Sequence, residues 1–274
     1  MRTTHKKANA KLHKIEFDDY QDILNYLADY DNPNSNAQTY DQPEFCKFSF
    51  DQALEMLKSG WPEGVKEVAD ITETITDKIT RDAATTVSYD VTGDFLDVGT
   101  YLTGQPECWG LMETIEGPKN EIDIIVNVTY SYSVKQETIY NRGAAITALI
   151  DQLQKTHFVN VKFVQRVDDS GSFNGKDFEL TFNVNTKNDY SRDLIAFYAA
   201  NSSFLRRLIF AIEEKYCKRD RCGSYGCIVK PDGIDAKNTV YFKEVTNDSQ
   251  WNTPETAAAE VKKLIEEYST QIAC

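Results

Sequence analysis

Histidine is scarce in this sequence: only His5, His13 and His157 occur among 274 residues, far apart in the chain. A histidine-based catalytic triad and a metal site built on several imidazoles are thereby nearly excluded. No stretch matches a Walker phosphate loop, a Gly-x-Ser-x-Gly nucleophile elbow or a Gly-x-Gly-x-x-Gly dinucleotide fingerprint. No apolar run approaches the length of a membrane span. The basic start, Met1 to Lys7, lacks the apolar core of a signal peptide, so a soluble protein kept inside a cell is expected.

Positive charge is also short. Thirty Lys and Arg stand against 43 Asp and Glu, a formal net charge of -13. That balance argues against a nonspecific DNA-binding face, because counterion release needs a basic surface. It fits a solvated acidic surface, a basic protein partner or mimicry of nucleic acid.

The six cysteines read as intracellular thiols rather than a disulfide framework. Cys217, Cys222 and Cys227 are evenly spaced, but more loosely than the paired Cys-x-x-Cys of zinc ribbons, and no histidine lies nearby. A zinc site there needs Cys46 or Cys108 as a distant fourth ligand; buried or incidental thiols are the simpler reading.

The organising stretch is Ile122 to Leu153. An apolar run, Ile122-Asp-Ile-Ile-Val126, precedes the polar string Asn127-Val-Thr129-Tyr-Ser131-Tyr-Ser133. Ile139, Ile146, Ile150 and Leu153 then follow at helical spacing. This predicts a buried strand, a hydroxyl-rich crest and an amphipathic helix, the first half of a βαβ crossover. The crest falls at the carboxyl end of a strand, where α/β folds bind ligands. Ser133 with Gln136 matches a capping box. The small residues of Arg142-Gly143-Ala-Ala let that helix lie close on the sheet.

Upstream, residues 1–16 read as a basic mobile arm and 17–116 as a mainly helical region. Its helical stripes lie at Tyr20 to Leu27, Phe50 to Leu57 and Val65 to Ile79, and Val87 to Val91 suggests a short strand. Glu116-Gly117-Pro118-Lys119 is the expected boundary with an α/β domain over 117–274. Within that domain Val159 to Val167 and Phe178 to Val184 alternate as a hairpin. A helix follows over Ser191 to Tyr216, interrupted at Asn201-Ser-Ser. Strands at Gly226 to Pro231 and Thr239 to Val245 come next, and Thr253-Pro254 opens a last helix. Two folds accommodate this order: a layered α/β sheet with an antiparallel edge hairpin, or a ferredoxin-like split βαβ. The nearly all-apolar first strand favours the layered sheet.

The crest resembles the start of von Willebrand factor A domains, where an apolar strand ends in Asp-x-Ser-x-Ser and helps hold magnesium. Here Asn127 replaces the aspartate and Thr129 the first serine, with Ser131 matching. The resemblance implies a von Willebrand A-like fold with a degenerate metal site, since hard cations need the missing carboxylate. It also implies adaptor work, sometimes beside AAA-type ATPases. Asn127, Thr129, Ser131, Arg142, Arg206 and Arg207 are the candidate binding residues; the bland alternatives are strand-end capping, packing and solvated arginines.

Further stretches resemble a family of bacteriophage-encoded proteins of uncharacterised function. They are Gly60-Trp61-Pro62-Glu63-Gly64, Asp97-Val98 through Tyr101-Leu102 to Cys108, Asn127 to Ser131, Arg142 to Leu149, and Ala196-Phe197 to Leu208. The resemblance implies phage origin and action in the host cytoplasm, and supplies no catalytic residues. The expected function is a non-enzymatic protein-binding adaptor or inhibitor using the crest and the helical region. The alternatives are a nucleic-acid-binding or DNA-mimicking protein, with Tyr130, Tyr132 and Phe163 as an aromatic platform, and a metal-dependent hydrolase on scattered carboxylates.

Overall fold

Alternation of apolar and polar residues in the strands decides how the layers form. The structure is a computed structural model that describes residues 2–4, 12–39, 46–80, 87–93, 95–112, 121–155, 157–167, 177–184, 191–218, 234 and 238–272. The chain opens with β1 (Arg2–Thr4), β2 (Leu12–Phe17), α1 (Tyr20–Leu27), α2 (Asn36–Thr39), α3 (Phe50–Ser59) and α4 (Pro62–Thr80). A small unit follows, made of β3 (Val87–Asp90), β4 (Phe95–Leu96), α5 (Val98–Leu102) and β5 (Trp109–Met112). Then come β6 (Glu121–Asn127), α6 (Gln136–Gln154), β7 (Phe158–Val167), β8 (Asp177–Val184) and α7 (Ser191–Ala200). A π-helical stretch (Phe204–Ile209) leads into α8 (Phe210–Cys217), and β9 (Thr239–Phe242) and α9 (Pro254–Ile272) complete the order.

The main sheet has six strands in the order β1-β2-β8-β7-β6-β9. β6 runs parallel to both β7 and β9 and lies between them, as its apolar sequence predicts. β7 and β8 are antiparallel. Direct pairing of β6 with β7 rules out the split βαβ of the ferredoxin-like alternative, in which another strand would separate them. The layered α/β reading holds at this level.

Two expectations are corrected. The β7–β8 hairpin is not an edge, and the described parts of the supposed arm are strands: β2 pairs parallel with β8, and β1 pairs antiparallel with β2. The reason is burial. Ile15 and Phe17 point into the core, and Phe17 stacks almost parallel on Phe182 with ring centroids 5.2 Å apart. Enclosing a side chain such as Phe17 contributes roughly 2–3 kcal/mol, which a polar-looking strand can recover only inside the sheet.

One apolar core joins β2, β6, β7, β8 and β9 to the helices, the N-terminal ones included. Here α7 and α9 both pack on α6, and α4 packs against all three. Gly143 sets the closeness of α6, though against α7 rather than the sheet: a Cβ there would lie 2.5 Å from Ala200 Cβ. The opposite face of the sheet is polar. Lys162 pairs with Asp123 at 2.9 Å, and buried Glu179 is held by Lys14 at 3.0 Å. Only Ile125, Val164 and Ile234 form an apolar cluster on that side among the described residues.

Helix starts follow local chemistry at α1, α3, α5 and α9. Ser49 and Gln52 close a capping box on α3, and Thr253 receives the first turn of α9. The box expected from Ser133 and Gln136 does not form. Lys135 precedes α6 instead, and the Asp248 carboxylate from beyond β9 accepts its backbone N–H at 3.0 Å.

Candidate functional site

The crest is built where β6 ends. Asn127 is fully buried; its Oδ1 accepts the Thr129 backbone N–H at 3.0 Å, while its Nδ2 lies 3.3 Å from the Tyr241 hydroxyl. Asparagine thus turns the chain onto itself. Val245 then ties down the turn, exchanging backbone hydrogen bonds with Thr129 and Ser131.

Arg142 reaches this turn from α6. Its Nη2 donates to the carbonyls of Asn127 and Lys243, both at 2.8 Å, so one guanidinium bridges the ends of β6 and β9. Burial pulls its pKa down to about 10, which still leaves it charged at neutral pH. Arg206 comes from the π-helical stretch and lies over the rings of Tyr130 and Tyr132, 5.1 and 5.6 Å from their centroids. Arg207 turns the other way, donating to the carbonyls of Phe48 at 2.8 Å and Ala37 at 3.0 Å. The π-helical stretch is buried all round, so neither arginine is solvated.

Five of the six residues singled out in the sequence are therefore interior, and only Ser131 is partly exposed. The structure brings Asn127, Thr129, Ser131, Arg142 and Arg206 together around one turn, and sends Arg207 to the N-terminal helices. The donor set does not fit magnesium. The Asn127 carboxamide oxygen is already engaged, and two guanidinium groups border the turn where a hard cation needs anionic oxygens. Nor is there an aromatic platform: Tyr130 and Phe163 are buried, and Tyr132 alone is open.

Cys217 is half-buried at the end of α8, whereas Cys222, Cys227 and the strand expected at 226–231 lie outside the described residues. Cys46 and Cys108 are both buried, with sulfur atoms directed to the carbonyls of Phe48 and Pro106. Among the described residues no three metal-ligating side chains come together. An open cleft of about 240 Å³ lies between β9 and α9. In its lining Lys263 lies 4.0 Å from Glu260 and 3.9 Å from Glu267.

A different surface is exposed. Among the described residues nine large apolar side chains face solvent, and seven of them lie between Tyr89 and Trp109. β5 pairs with β3 on one side and β4 on the other. Tyr89 and Phe95 both stand opposite Gly110 and share one face. The Phe95 ring lies across Gly110, where a Cβ would come within 2.3 Å of it. The α5 turn is capped by Asp97 and has no buried residue; Tyr101 is 58% and Leu102 77% exposed. Of the residues between 76 and 121 whose side chains are described, none joins either apolar cluster of the main body. Sequence reasoning placed a short strand here, at Val87 to Val91, but missed the surface. The available signal was a run from Asp82 to Pro118 with no Lys, Arg or His and repeated aromatic residues.

A family model described as a domain of unknown function, DUF7192, matches residues 3–272. The chain belongs to that family. No curated protein and no solved structure matches it. The match spans β2 and α9 alike, so in the DUF7192 family the sheet, the helical layers and the small three-stranded unit fall within one family domain. No helix of the described residues is long and apolar enough to cross a membrane.

Proposed function

We propose that this protein is a non-enzymatic adaptor or inhibitor that binds another protein, through the three-stranded unit over 87–112 rather than the crest. The supporting observation is the concentration of exposed apolar side chains there, on a unit whose described side chains join neither apolar cluster of the main body. Contiguous exposed apolar surface on an otherwise polar protein marks interaction sites. A five-residue helical turn that buries nothing is not stable by propensity alone, and a partner would supply the missing contacts.

The origin and place of action belong to the same proposal. The phage-family resemblance supports work in the cytoplasm of an infected bacterium. The main sheet supports a degenerate von Willebrand A-like reading, with β6 central and parallel, the β7–β8 hairpin on one side and β9 on the other. Strands β1 and β2 are additions to that plan. By analogy with such adaptors, an AAA-type ATPase is a reasonable partner class.

The test is photo-crosslinking in infected cells from residue 101, with residue 137 on α6 as control. One identified protein joined at 101 but not at 137, and persisting after nuclease, supports the reading. Crosslinks to nucleic acid only, or none at 101, overturn it.

A further inference from the structure

We infer that the three-stranded unit takes a basic, apolar segment of another protein, one that alternates Lys or Arg with aliphatic or aromatic residues. This rests on the protein-binding reading above and names the chemistry of its partner.

The charge distribution carries the argument. From Asp82 to Pro118 the sequence has seven carboxylates and no Lys, Arg or His. Among the described residues of the unit, Asp90 and Glu107 are exposed, and Asp97 lies at the head of α5 beside the Tyr89 hydroxyl. The same small unit presents Tyr89, Phe95, Val98, Tyr101 and Leu102 to solvent, and Trp109 is exposed beside its pair Asp90 on the other face of the strands. Exposed tyrosine and tryptophan faces bordered by carboxylates suit a cation twice over. The ring quadrupole attracts an ammonium or guanidinium, and the neighbouring carboxylate supplies the counter-charge. Aliphatic positions between the cations would cover Val98 and Leu102.

A second copy of this chain is a poor occupant. Face-to-face pairing would bring two all-acidic segments together, on a protein already at -13, and like charges desolvated at an interface oppose association. An acidic or neutral partner lacks the complementary charge. A nucleic acid carries the wrong sign altogether.

The full-length protein is immobilised and challenged with an mRNA-displayed library of random dodecapeptides. Enriched peptides should carry Lys or Arg interleaved with aliphatic or aromatic residues. A synthetic copy of one such peptide should bind less tightly as salt is raised. The Val98→Ser/Tyr101→Ser/Leu102→Ser variant should bind it at least about tenfold more weakly. The isosteric Asp90→Asn/Glu107→Gln variant preserves shape and removes only charge. It should weaken the same peptide severalfold and flatten the salt dependence.

Enrichment of neutral or acidic peptides, no enrichment, or unchanged affinity in the charge variant would overturn this inference. It would leave the protein-binding reading standing if crosslinking from residue 101 still captures a defined protein. Failure of that crosslinking removes both.

Discussion

The hydroxyl of Thr138, in the first turn of α6, donates to the Asp248 carboxylate at 2.7 Å across the end of the sheet. The same oxygen accepts the Lys135 backbone N–H, so Asp248 caps a helix from which it is remote in sequence. The Thr138 bond, followed by the Lys135 N–H, lowers the Asp248 pKa. A lowered carboxylate stabilises the fold above its unfolded pKa, about 3.9, and loses that effect as pH falls through the folded value. Asp248→Ala should destabilise by about 1 kcal/mol at neutral pH. Denaturant unfolding of the two proteins should converge in acid.

Arg142 is a harder loss. Its side chain donates to carbonyls at the ends of both β6 and β9 and ties the two strand ends together. Arg142→Met should cost roughly 3 kcal/mol or more, as charged hydrogen bonds to both strand ends vanish. Arg142→Lys should recover little, because an ammonium cannot reproduce the planar fork. Equilibrium urea unfolding measures both.

At Gly143 the usual gain from alanine in a helix should reverse. The new Cβ would meet Ala200 Cβ at 2.5 Å, and the Ala200 backbone nitrogen lies only 3.2 Å away. Overpacking against backbone costs typically 1–3 kcal/mol, more than the roughly 1 kcal/mol of helix propensity gained. A lowered thermal midpoint for Gly143→Ala is the expected result; a rise would show that α6 and α7 move apart freely.

Glu213 faces the interior from α8, fully buried, and burial raises its pKa well above the ordinary glutamate value. The nearby Gln165 amide offsets only part of this, and neither carboxylate oxygen makes a hydrogen bond of normal geometry. The folded chain therefore keeps a proton that the unfolded chain releases near pH 4.3, about the free glutamate pKa. Its contribution is fully present below that pH and declines as pH rises toward the folded value. Glu213→Gln should flatten the fall in melting temperature as pH rises above the free glutamate pKa. An unchanged slope would place that pH dependence elsewhere.

Much of the main domain was legible in the sequence, because burial on one face leaves a period. Phe178, Leu180, Phe182 and Val184 announce β8, and Thr253-Pro254 announces α9. Strand β2 escaped because Lys14 and Glu16 on its polar face look like a solvated arm, although their neighbours Ile15 and Phe17 are core. Arg206 and Arg207 were read as surface because adjacent arginines on a helix usually are. A stretch enclosed on all sides by the crest and the N-terminal helices has no outside face to offer them. The crest turn was visible at Asn127, but not its role: the Asn127 carboxamide spends its hydrogen bonds internally. In the three-stranded unit only β3 was legible, at Val87 to Val91, and its exposed surface could have been marked only by the charge bias and aromatic content.

The position of β2 also bears on how the chain acquires its shape during synthesis. Leu12 is translated long before its partner Asp177, and the strand that should lie beside it arrives after β6, α6 and β7. Pairing of such distant segments must wait on the closure of a very long loop, which slows folding. Until β8 emerges from the ribosome, Ile15 and Phe17 have no sheet to join, and β2 carries an unpaired edge. A nascent chain stalled before residue 177 would therefore be the form most in need of a chaperone. Deleting residues 1–17 would in turn bare the β8 edge of the finished sheet and favour strand-to-strand aggregation.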